Sequence, residues 1–304
     1  MRYGLTVAPW RAYADPRALM RLARRAETAG WDGFFLWDAM IHDPDDLPKA
    51  DPAIALTAIA MSTERLRIGT MVTPLARRRP WKLARELVTL DHLSGGRLVL
   101  GVGLGDPSDE EFIWFNEIGR DHQTRARMLD EGLAVLTGLW RGEPFRFDGE
   151  FYHLREMTFL PVPVQLPRIP IWVGGWWPNR APMRRAARWD GVVPGRLGAP
   201  LTPDDLRALI VYIWEHRDDL APFDVVVSGT TPGAQPATAA SHVRRFAEAG
   251  ATWWLEAGGV AGRAFPPEQI EERIRQGPPR IEHLGDHDAQ PASTTGQGRR
   301  DPGC

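Results

Sequence analysis

The apolar positions of this chain change repeatedly from short continuous runs to helical spacing. The clearest example, residues 65–105, reads RLRIGTMVTPLARRRPWKLARELVTLDHLSGGRLVLGVGLG. Its apolar runs 66–72 and 98–102 are typical of buried strands, and leucines recur between them on one face of a helix over 80–92. A proline opens that helix and a Gly-Gly pair follows it, as is usual at helix starts and ends. The pattern therefore predicts a strand–helix–strand unit that ends in a glycine-rich loop.

The same alternation extends over most of the chain and predicts eight strand–helix units. Eight such units favour a (β/α)8 TIM barrel, which needs about 250 residues, over a doubly wound open sheet, which alternation alone does not exclude. We predict one barrel domain over residues 1–283. The predicted strands are 3–7, 33–37, 66–72, 98–102, 169–173, 191–193, 224–228 and 252–256. The predicted helices are 15–30, 51–64, 80–92, 121–141, 182–189, 203–219, 237–250 and 267–276.

Two segments depart from the alternation. Residues 144–157 read PFRFDGEFYHLREM, in which Asp148-Gly149 is a strong turn signal, so we predict an inserted β-hairpin there. Residues 284–304 are rich in Gly, Pro, Asp, Gln and Thr, and we expect this tail to be disordered and to take no part in the chemistry.

Composition narrows the class of protein. The 304 residues are 43% hydrophobic and carry a net charge of −2, which gives no reason to expect nucleic acid or an anionic membrane as a partner. Cys304 is the only cysteine, so no disulfide or cysteine-based metal site forms within the chain. No apolar run reaches the length of a membrane span, and the first residues lack a signal-peptide layout. We therefore expect a cytoplasmic enzyme.

Aromatic and glycine residues collect where the predicted strands end, which is the active face of such a barrel. Four tryptophans are expected around one mouth, where they would suit a flat aromatic ligand or simply cap the barrel: Trp10, Trp37, Trp176 and Trp177. Glycine loops at 101–105 and 174–175 would bring bare backbone N–H groups to a phosphate, or merely form turns. Three arginines near the second loop would assist phosphate binding: Arg180, Arg184 and Arg185.

The usual catalytic motifs are missing. The histidines and carboxylates show no metal-ligand spacing, and neither a GxSxG elbow nor a Walker loop is present. The two lysines, Lys49 and Lys82, are not expected at strand ends. A sugar-phosphate isomerase or aldolase barrel would need such a lysine, metal ligands or a carboxylate pair, so it is a weaker alternative. This poverty of reactive groups indicates that a bound cofactor performs the chemistry.

The chain resembles the bacterial luciferase-like monooxygenases, a family of flavin-dependent oxidoreductases. The resemblance rests on the long segment GTMVTPLARRRPWKLARELVTLDHLSGGRLVLGVGLG. It is supported in order by EFIWFN, RARMLDEGLAVLTGLW, FDGEFYHL, IPIWVGGWWPN and AARWDGVVPG. It implies a (β/α)8 barrel that binds reduced FMN, supplied by a separate flavin reductase, or the deazaflavin F420. It also implies a homodimer, with packing through the second and third helices as one arrangement, and a small-molecule organic substrate.

The resemblance also assigns roles to residues. It places Gly103, Gly105 and Asp106 near the flavin ring or its phosphate side. It gives phosphate contacts to Gly174, Gly175 and Trp176, and it matches Thr70–Met71 to a strand-3 bulge that often holds a non-proline cis peptide behind the ring. We add Trp37 to the cofactor site as part of the aromatic mouth, and we take Asp38, His42 and Asp106 as candidates for proton transfer.

The residues leave the choice of cofactor and of reaction open. Many F420-using members carry Asp-His after the second strand, whereas this chain has Asp38-Ala39, which favours FMN and oxygenation of the substrate over F420 and hydride transfer. A non-catalytic flavin-binding protein is a further alternative. The run Arg77–Arg79 would either meet an anionic ligand or form a solvated helix start. Glu256 is expected to order a loop rather than to react.

Overall fold

Eight parallel strands close into a barrel in the computed structural model, which describes residues 1–40, 47–105, 110–119, 121–260 and 263–281. The order around the barrel is β1, β2, β3, β4, β7, β8, β9 and β10, and β10 pairs with β1. This closure confirms the (β/α)8 barrel and rules out the open sheet. The barrel strands are β1 (Arg2–Val7), β2 (Gly33–Leu36), β3 (Arg67–Pro74), β4 (Leu98–Gly103), β7 (Ile171–Trp177), β8 (Gly191–Arg196), β9 (Asp224–Gly229) and β10 (Trp253–Ala257).

The helices follow the strands and most begin with a proline in the first turn, where its missing N–H costs nothing. Asp15, Asp51 and Asp121 accept a hydrogen bond from the first turn of the helices they precede, and Thr202 forms a capping box with Asp205. The helices are α1 (Pro16–Thr28), α2 (Pro52–Ala60), α3 (Pro80–Ser94), α4 (Glu110–Trp114), α5 (His122–Trp140), α6 (Arg180–Ala186), α7 (Pro203–Trp214), α8 (Pro236–Glu248) and α9 (Pro267–Arg275).

Several boundaries differ from those predicted. The strand predicted at 169–173 is β7, which continues through the glycine pair to Trp177, and the strand predicted at 191–193 is β8, which continues to Arg196. These extensions pair with each other, so the sheet satisfies backbone groups that we had expected in a loop. Helix α2 ends at Ala60, where the hydroxyls of Ser62 and Thr63 donate to the Ile59 carbonyl together with the backbone N–H of Ser62.

The inserted hairpin is present. Strands β5 (Phe145–Asp148) and β6 (His153–Met157) pair antiparallel, and the carboxylate of Glu131 on α5 accepts from the backbone N–H groups of residues 150–152 at its tip. A further short pair, β11 (Gly259–Val260) and β12 (Arg263–Ala264), follows β10. The predicted disordered tail lies outside the described residues.

The barrel interior is filled at one end and lined by small residues at the other. Near the strand N-termini, rings of Phe35, Trp172 and Trp253 meet with centroids 5.4–6.0 Å apart. We call this cluster of fully buried side chains the floor; its members are Phe35, Val99, Trp172, Val226, Trp253 and Leu255. Burying each large side chain stabilises the fold by about 2–3 kcal/mol. Alternate residues further along β4 and β7 are Gly101, Gly103 and Gly174, and Gly195 is at the same end of β8; we call this end the mouth.

Candidate cofactor site

A β-bulge in β3 shapes the mouth. Thr70 pairs with Leu100 of β4 and Thr73 with Val102, so β3 has one more residue than β4 between these two pairs. The peptide bond between Met71 and Val72 in this bulge is cis. The resemblance had pointed to a cis bond at Thr70–Met71, and the structure has it one position further along.

The bulge places the Val72 side chain directly against Gly103 and Gly174. A Cβ added to Gly103 would come within 2.6 Å of Val72 Cγ2, and one on Gly174 would come within 3.3 Å of Val72 Cγ1. A Cβ on Gly101 would lie 2.1 Å from the Thr70 carbonyl oxygen. The glycines of β4 and β7 therefore make room for the bulge, and together they form a surface of backbone and one small side chain.

Tryptophans line the rim of this surface. Trp176, which is 43% exposed, lies over Gly195 so closely that a Cβ there would be 2.5 Å from its ring. Across the mouth, the rings of Trp10 and Trp37 meet edge to face at 5.5 Å. Lys49 Nζ lies 5.6 Å from the centroid of the Trp10 ring, at the loop after β1. The sequence did not predict this position, because the segment between β2 and α2 brings Lys49 back beside Trp10 through a backbone bridge that no local pattern indicates.

Trp177 does not belong to the mouth, contrary to our expectation. It is buried outside the barrel, where its ring lies 6.4 Å from that of Tyr212 on α7. The physical reason is the extension of β7: successive strand residues point to opposite faces, so Trp176 and Trp177 cannot both face inward.

Asp38 is buried just after β2 and is held by three donors. It forms ion pairs with Arg77 and, at 3.2 Å, with Arg78, and it accepts a hydrogen bond from the Thr73 hydroxyl at 2.9 Å. Burial alone would lower the pKa of Arg78, but the charge and hydrogen bond of Asp38 outweigh it and raise that pKa.

The carboxylate also orders the bulge. Because Thr73 donates to Asp38, the 2.8 Å contact between the two hydroxyls makes Thr70 the donor to Thr73. The chain Thr70, Thr73, Asp38 thus ties both sides of the bulge to the end of β2. Of the three residues predicted to transfer protons, Asp38 therefore positions the mouth, and His42 and Asp106 lie outside the described residues.

The predicted arginine run divides between two environments: Arg77 and Arg78 bind a carboxylate of the chain, and Arg79 is at the exposed start of α3. Arg77 and Arg78 neutralise Asp38, and only Arg79 is exposed, with its guanidinium 5.9 Å from the Trp81 ring. Sequence alone missed the pairing because the partners are about 40 residues apart, although both directly follow neighbouring strands.

Packing partly explains the glycines of both predicted loops. In the first loop, Gly105 has φ +94°, and a Cβ there would lie 2.9 Å from Phe112. In the second loop, a Cβ on Gly175 would lie 2.4 Å from Pro182 of α6. Arg185 is buried on Asp130 at 2.8 Å, and Arg184 donates to the Tyr212 hydroxyl at 3.0 Å. Arg180 is exposed and lies 4.3 Å from the Tyr212 ring centroid, so it is the arginine of the three best able to meet a ligand.

Glu256 orders a loop, as expected. It accepts from the hydroxyl of Thr231 at 2.8 Å and from the indole of Trp254 at 3.1 Å, and it pairs with Arg273 at 3.2 Å. The described residues contain no cluster of His, Cys, Asp and Glu suited to a metal ion. Nor is any helix in the described ranges long and apolar enough to cross a membrane.

A mouth of glycine backbone walled by tryptophan fits a flat ring system better than a small polar substrate. A family model described as luciferase-like monooxygenase matches residues 4–299. The chain belongs to this family. It is accordingly an oxidoreductase, in a family whose relatives include monooxygenases and F420-dependent enzymes.

Two similar sequences and one similar solved structure illustrate the range of proteins that this chain resembles. An uncharacterized protein of Mycobacterium tuberculosis is 31% identical over 234 residues, which cover 71% of this chain and 78% of that protein. The F420-dependent glucose-6-phosphate dehydrogenase of Microbacterium testaceum is 33% identical over 54% of this chain and 48% of its own length. The crystal structure of the monooxygenase RslO1 from Streptomyces bottropensis superposes with a TM-score of 0.74 at 20% identity, over 91% of this chain and 97% of that one.

Proposed function

We propose that the mouth binds reduced FMN and that the protein is the oxygenating component of a two-component monooxygenase acting on a small organic molecule. The observation that carries this proposal is the platform of Val72, Gly103 and Gly174 with Trp176 beside it. A planar isoalloxazine ring needs a flat apolar surface on one side and an aromatic or open wall on the other. Reduced FMN supplies the electrons that activate O2 when it is bound.

The protein residues bind and orient in this proposal. Thr70, Met71 and Trp37 would hold the ring, and the backbone of Gly103 and Gly105 would contact the ring or its phosphate side. Gly174, Gly175 and Trp176 are proposed to contact the phosphate, with Arg180 at the exposed end. With cofactor and substrate bound, the tryptophans of the mouth would shield the reacting centre from water, which protects reactive species.

Asp38 has a positioning role in the proposal. Its oxygens already accept hydrogen bonds from Arg77, Arg78 and Thr73. We therefore assign it the role of holding the bulge in place rather than exchanging protons with the substrate. His42 and Asp106 keep their place as candidates for proton transfer. A flavin reductase partner and a homodimer belong to the same proposal.

Hydride transfer with F420 is the second candidate, and the similarity to an F420-dependent glucose-6-phosphate dehydrogenase favours it. An alcohol that loses a hydride also loses its hydroxyl proton, so a dehydrogenase needs a free base beside the substrate. Among the described residues, Asp38 is engaged, and Ala39 stands where many F420-using members carry histidine, so a dehydrogenase would depend on His42 or Asp106 as its base. We place oxygenation first because of this departure at Ala39.

A titration under anaerobic conditions separates the candidates. The full-length protein is titrated with oxidised FMN, reduced FMN and F420 while tryptophan emission and heat are recorded. Preferential binding of reduced FMN supports the first candidate, and preferential binding of F420 supports the second. Binding of none of the three contradicts both.

A matched pair of variants locates the site. Trp176→Ala removes a 43% exposed ring from the mouth, and Trp214→Ala removes a 46% exposed ring from α7. We expect the first to weaken cofactor binding about threefold to tenfold, the effect of about 0.5–1.5 kcal/mol for one aromatic contact, and the second to leave it unchanged. An equal effect of the two substitutions on cofactor affinity would contradict a contact between the Trp176 ring and the cofactor.

A further inference from the structure

We infer that the opposite end of the barrel carries a second ligand site, which takes a polyvalent oxyanion such as a phosphate ester or diphosphate. A cleft of about 360 Å³ lies there, beneath the floor. Four arginines line it, Arg2, Arg65, Arg67 and Arg280, together with the carboxylates of Glu27 and Asp32.

The two carboxylates are turned to the main chain. Glu27 accepts from the backbone N–H groups of Glu64, Arg65 and Leu66 at 3.0, 2.6 and 3.1 Å. Burial would raise the pKa of Glu27, but these amide hydrogen bonds and the nearby charge of Arg65 lower it overall. Asp32 accepts from the backbone N–H of Tyr3 at 2.8 Å. Both carboxylates therefore bond to the main chain, and the charge of Glu27 offsets part of that of Arg65.

The arginines are held by neutral groups. Arg67 donates to the Gly96 carbonyl at 3.1 Å and to Gln165 at 2.7 Å, and Arg280 donates to the Gly30 carbonyl at 2.6 Å. Arg2 lies 5.5 Å from the centroid of the Trp253 ring. Within the part of the chain that the structure describes, none of the four forms an ion pair within 4 Å.

The charges are also crowded. Burial and the nearby charge of Arg2 lower the pKa of Arg67, with Asp224 and Asp91 as partial compensation. An anion in the cleft would relieve this repulsion. Guanidinium groups match the oxygens of phosphate, because each offers two parallel N–H donors, and those of Arg67 and Arg280 are already held by hydrogen bonds.

A second cleft, between α1 and α9, shows what a neutralised arrangement looks like. It is larger, about 820 Å³, and is also lined by four arginines. There Arg25 pairs with Glu271 and Arg275 with Glu272, each at 2.6 Å. Two of its four arginines are paired in this way, and three glutamates line it, whereas the cleft beneath the floor sets four arginines against two carboxylates, with no ion pair within 4 Å among the described residues.

The floor separates this site from the mouth, so its ligand is not the substrate of the proposed oxidoreductase. The N-terminal end of a (β/α)8 barrel ordinarily serves stability. A volume of about 360 Å³ lies within the range of small-molecule sites and exceeds the size of a single phosphate.

The test uses inorganic pyrophosphate, titrated calorimetrically at constant ionic strength into four full-length proteins. These are the wild type, Arg65→Gln/Arg280→Gln, Arg65→Lys/Arg280→Lys, and the control Arg155→Gln in the exposed strand β6. We expect saturable binding to the wild type and control, an increase in Kd of about tenfold or more in the Gln double variant, and an intermediate value in the Lys double variant.

Three outcomes overturn the inference: no saturable binding to the wild type, equal Kd in the wild type and the Gln double variant, or an equal loss in Arg155→Gln. Thermal unfolding confirms that each variant is folded, and the Lys variant keeps the charges if the Gln variant unfolds. Cofactor titration of the same Gln variant separates the two sites, because the cleft variant is expected to bind its cofactor normally. Absence of pyrophosphate binding at the cleft would thus not affect the proposed function, and absence of cofactor binding at the mouth would not affect the inferred anion site.

Discussion

The floor and the mouth are made by the same eight strands, yet they differ in the volume of their inward side chains. On β7, Trp172 is buried against Phe35 and Trp253, whereas Trp176, four residues later on the same face, lies open over Gly195. The floor is closed by aromatic packing, and the mouth is kept open by glycine. The comparison shows how one barrel separates stability from ligand binding along a single strand.

The largest effect should come from the pair Trp172→Ala and Trp176→Ala. Trp172→Ala leaves a cavity in the floor and should lower the free energy of unfolding by about 3–5 kcal/mol. Trp176→Ala removes an exposed ring and should cost less than about 1 kcal/mol. Chemical denaturation measures both values, and similar losses at the two positions would contradict the division into floor and mouth.

A smaller effect should come from removing the charge that orders the mouth. Asp38→Asn leaves Arg77 and Arg78 without their carboxylate and should cost about 2–3 kcal/mol, since Arg78 is partly exposed and water compensates some of the loss. Asp204→Asn, at an exposed ion pair with Arg207, is the control and should change stability by less than about 0.5 kcal/mol. Equal effects in urea unfolding would show that the Asp38 network does not hold the mouth.

A double-mutant cycle tests the contact between the bulge and the glycines. Gly103→Ala alone should destabilise the protein, because the new Cβ would meet Val72 Cγ2 at 2.6 Å. In the Val72→Ala background the same change should be tolerated, with a coupling energy of about 1 kcal/mol. Strictly additive free energies of unfolding would mean that Gly103 is needed for another reason.

The smallest effect concerns pH and the underside of the floor. Burial raises the pKa of Asp224, against hydrogen bonds from Thr252 and the charge of Arg2. A carboxyl with a raised folded pKa contributes its stability fully below its unfolded pKa, and loses it as pH rises through the folded value. Asp224→Asn should therefore weaken the fall in stability as pH rises above about 4, and urea unfolding between pH 3 and 7 measures it. An unchanged slope would contradict this account.

Much of the architecture could be predicted from local patterns. The alternation of buried strands with amphipathic helices, the prolines at helix starts and the Asp148-Gly149 turn all act over a few residues, and the barrel and hairpin they predicted are confirmed. Local patterns also predicted that Trp37 and Trp176 face inward and that Glu256 orders a loop.

The rest depended on contacts between distant segments. Whether Trp177 faces inward is decided by how far β7 extends, and that extension depends on its pairing with β8. The pairing of Asp38 with Arg77 and the need for glycine at 103 both arise from the extra residue in β3. No local pattern reveals a bulge whose geometry is imposed by the neighbouring strand. The roles of His42 and Asp106 stay predictions.

The sealed floor has a kinetic consequence. If both ligands of the proposed function pass through the mouth, the one bound nearer the floor has to enter first and leave last. The cofactor would then bind before the substrate, and the product would leave before the cofactor is exchanged. The order of binding would follow from the packing of three aromatic rings, Phe35, Trp172 and Trp253.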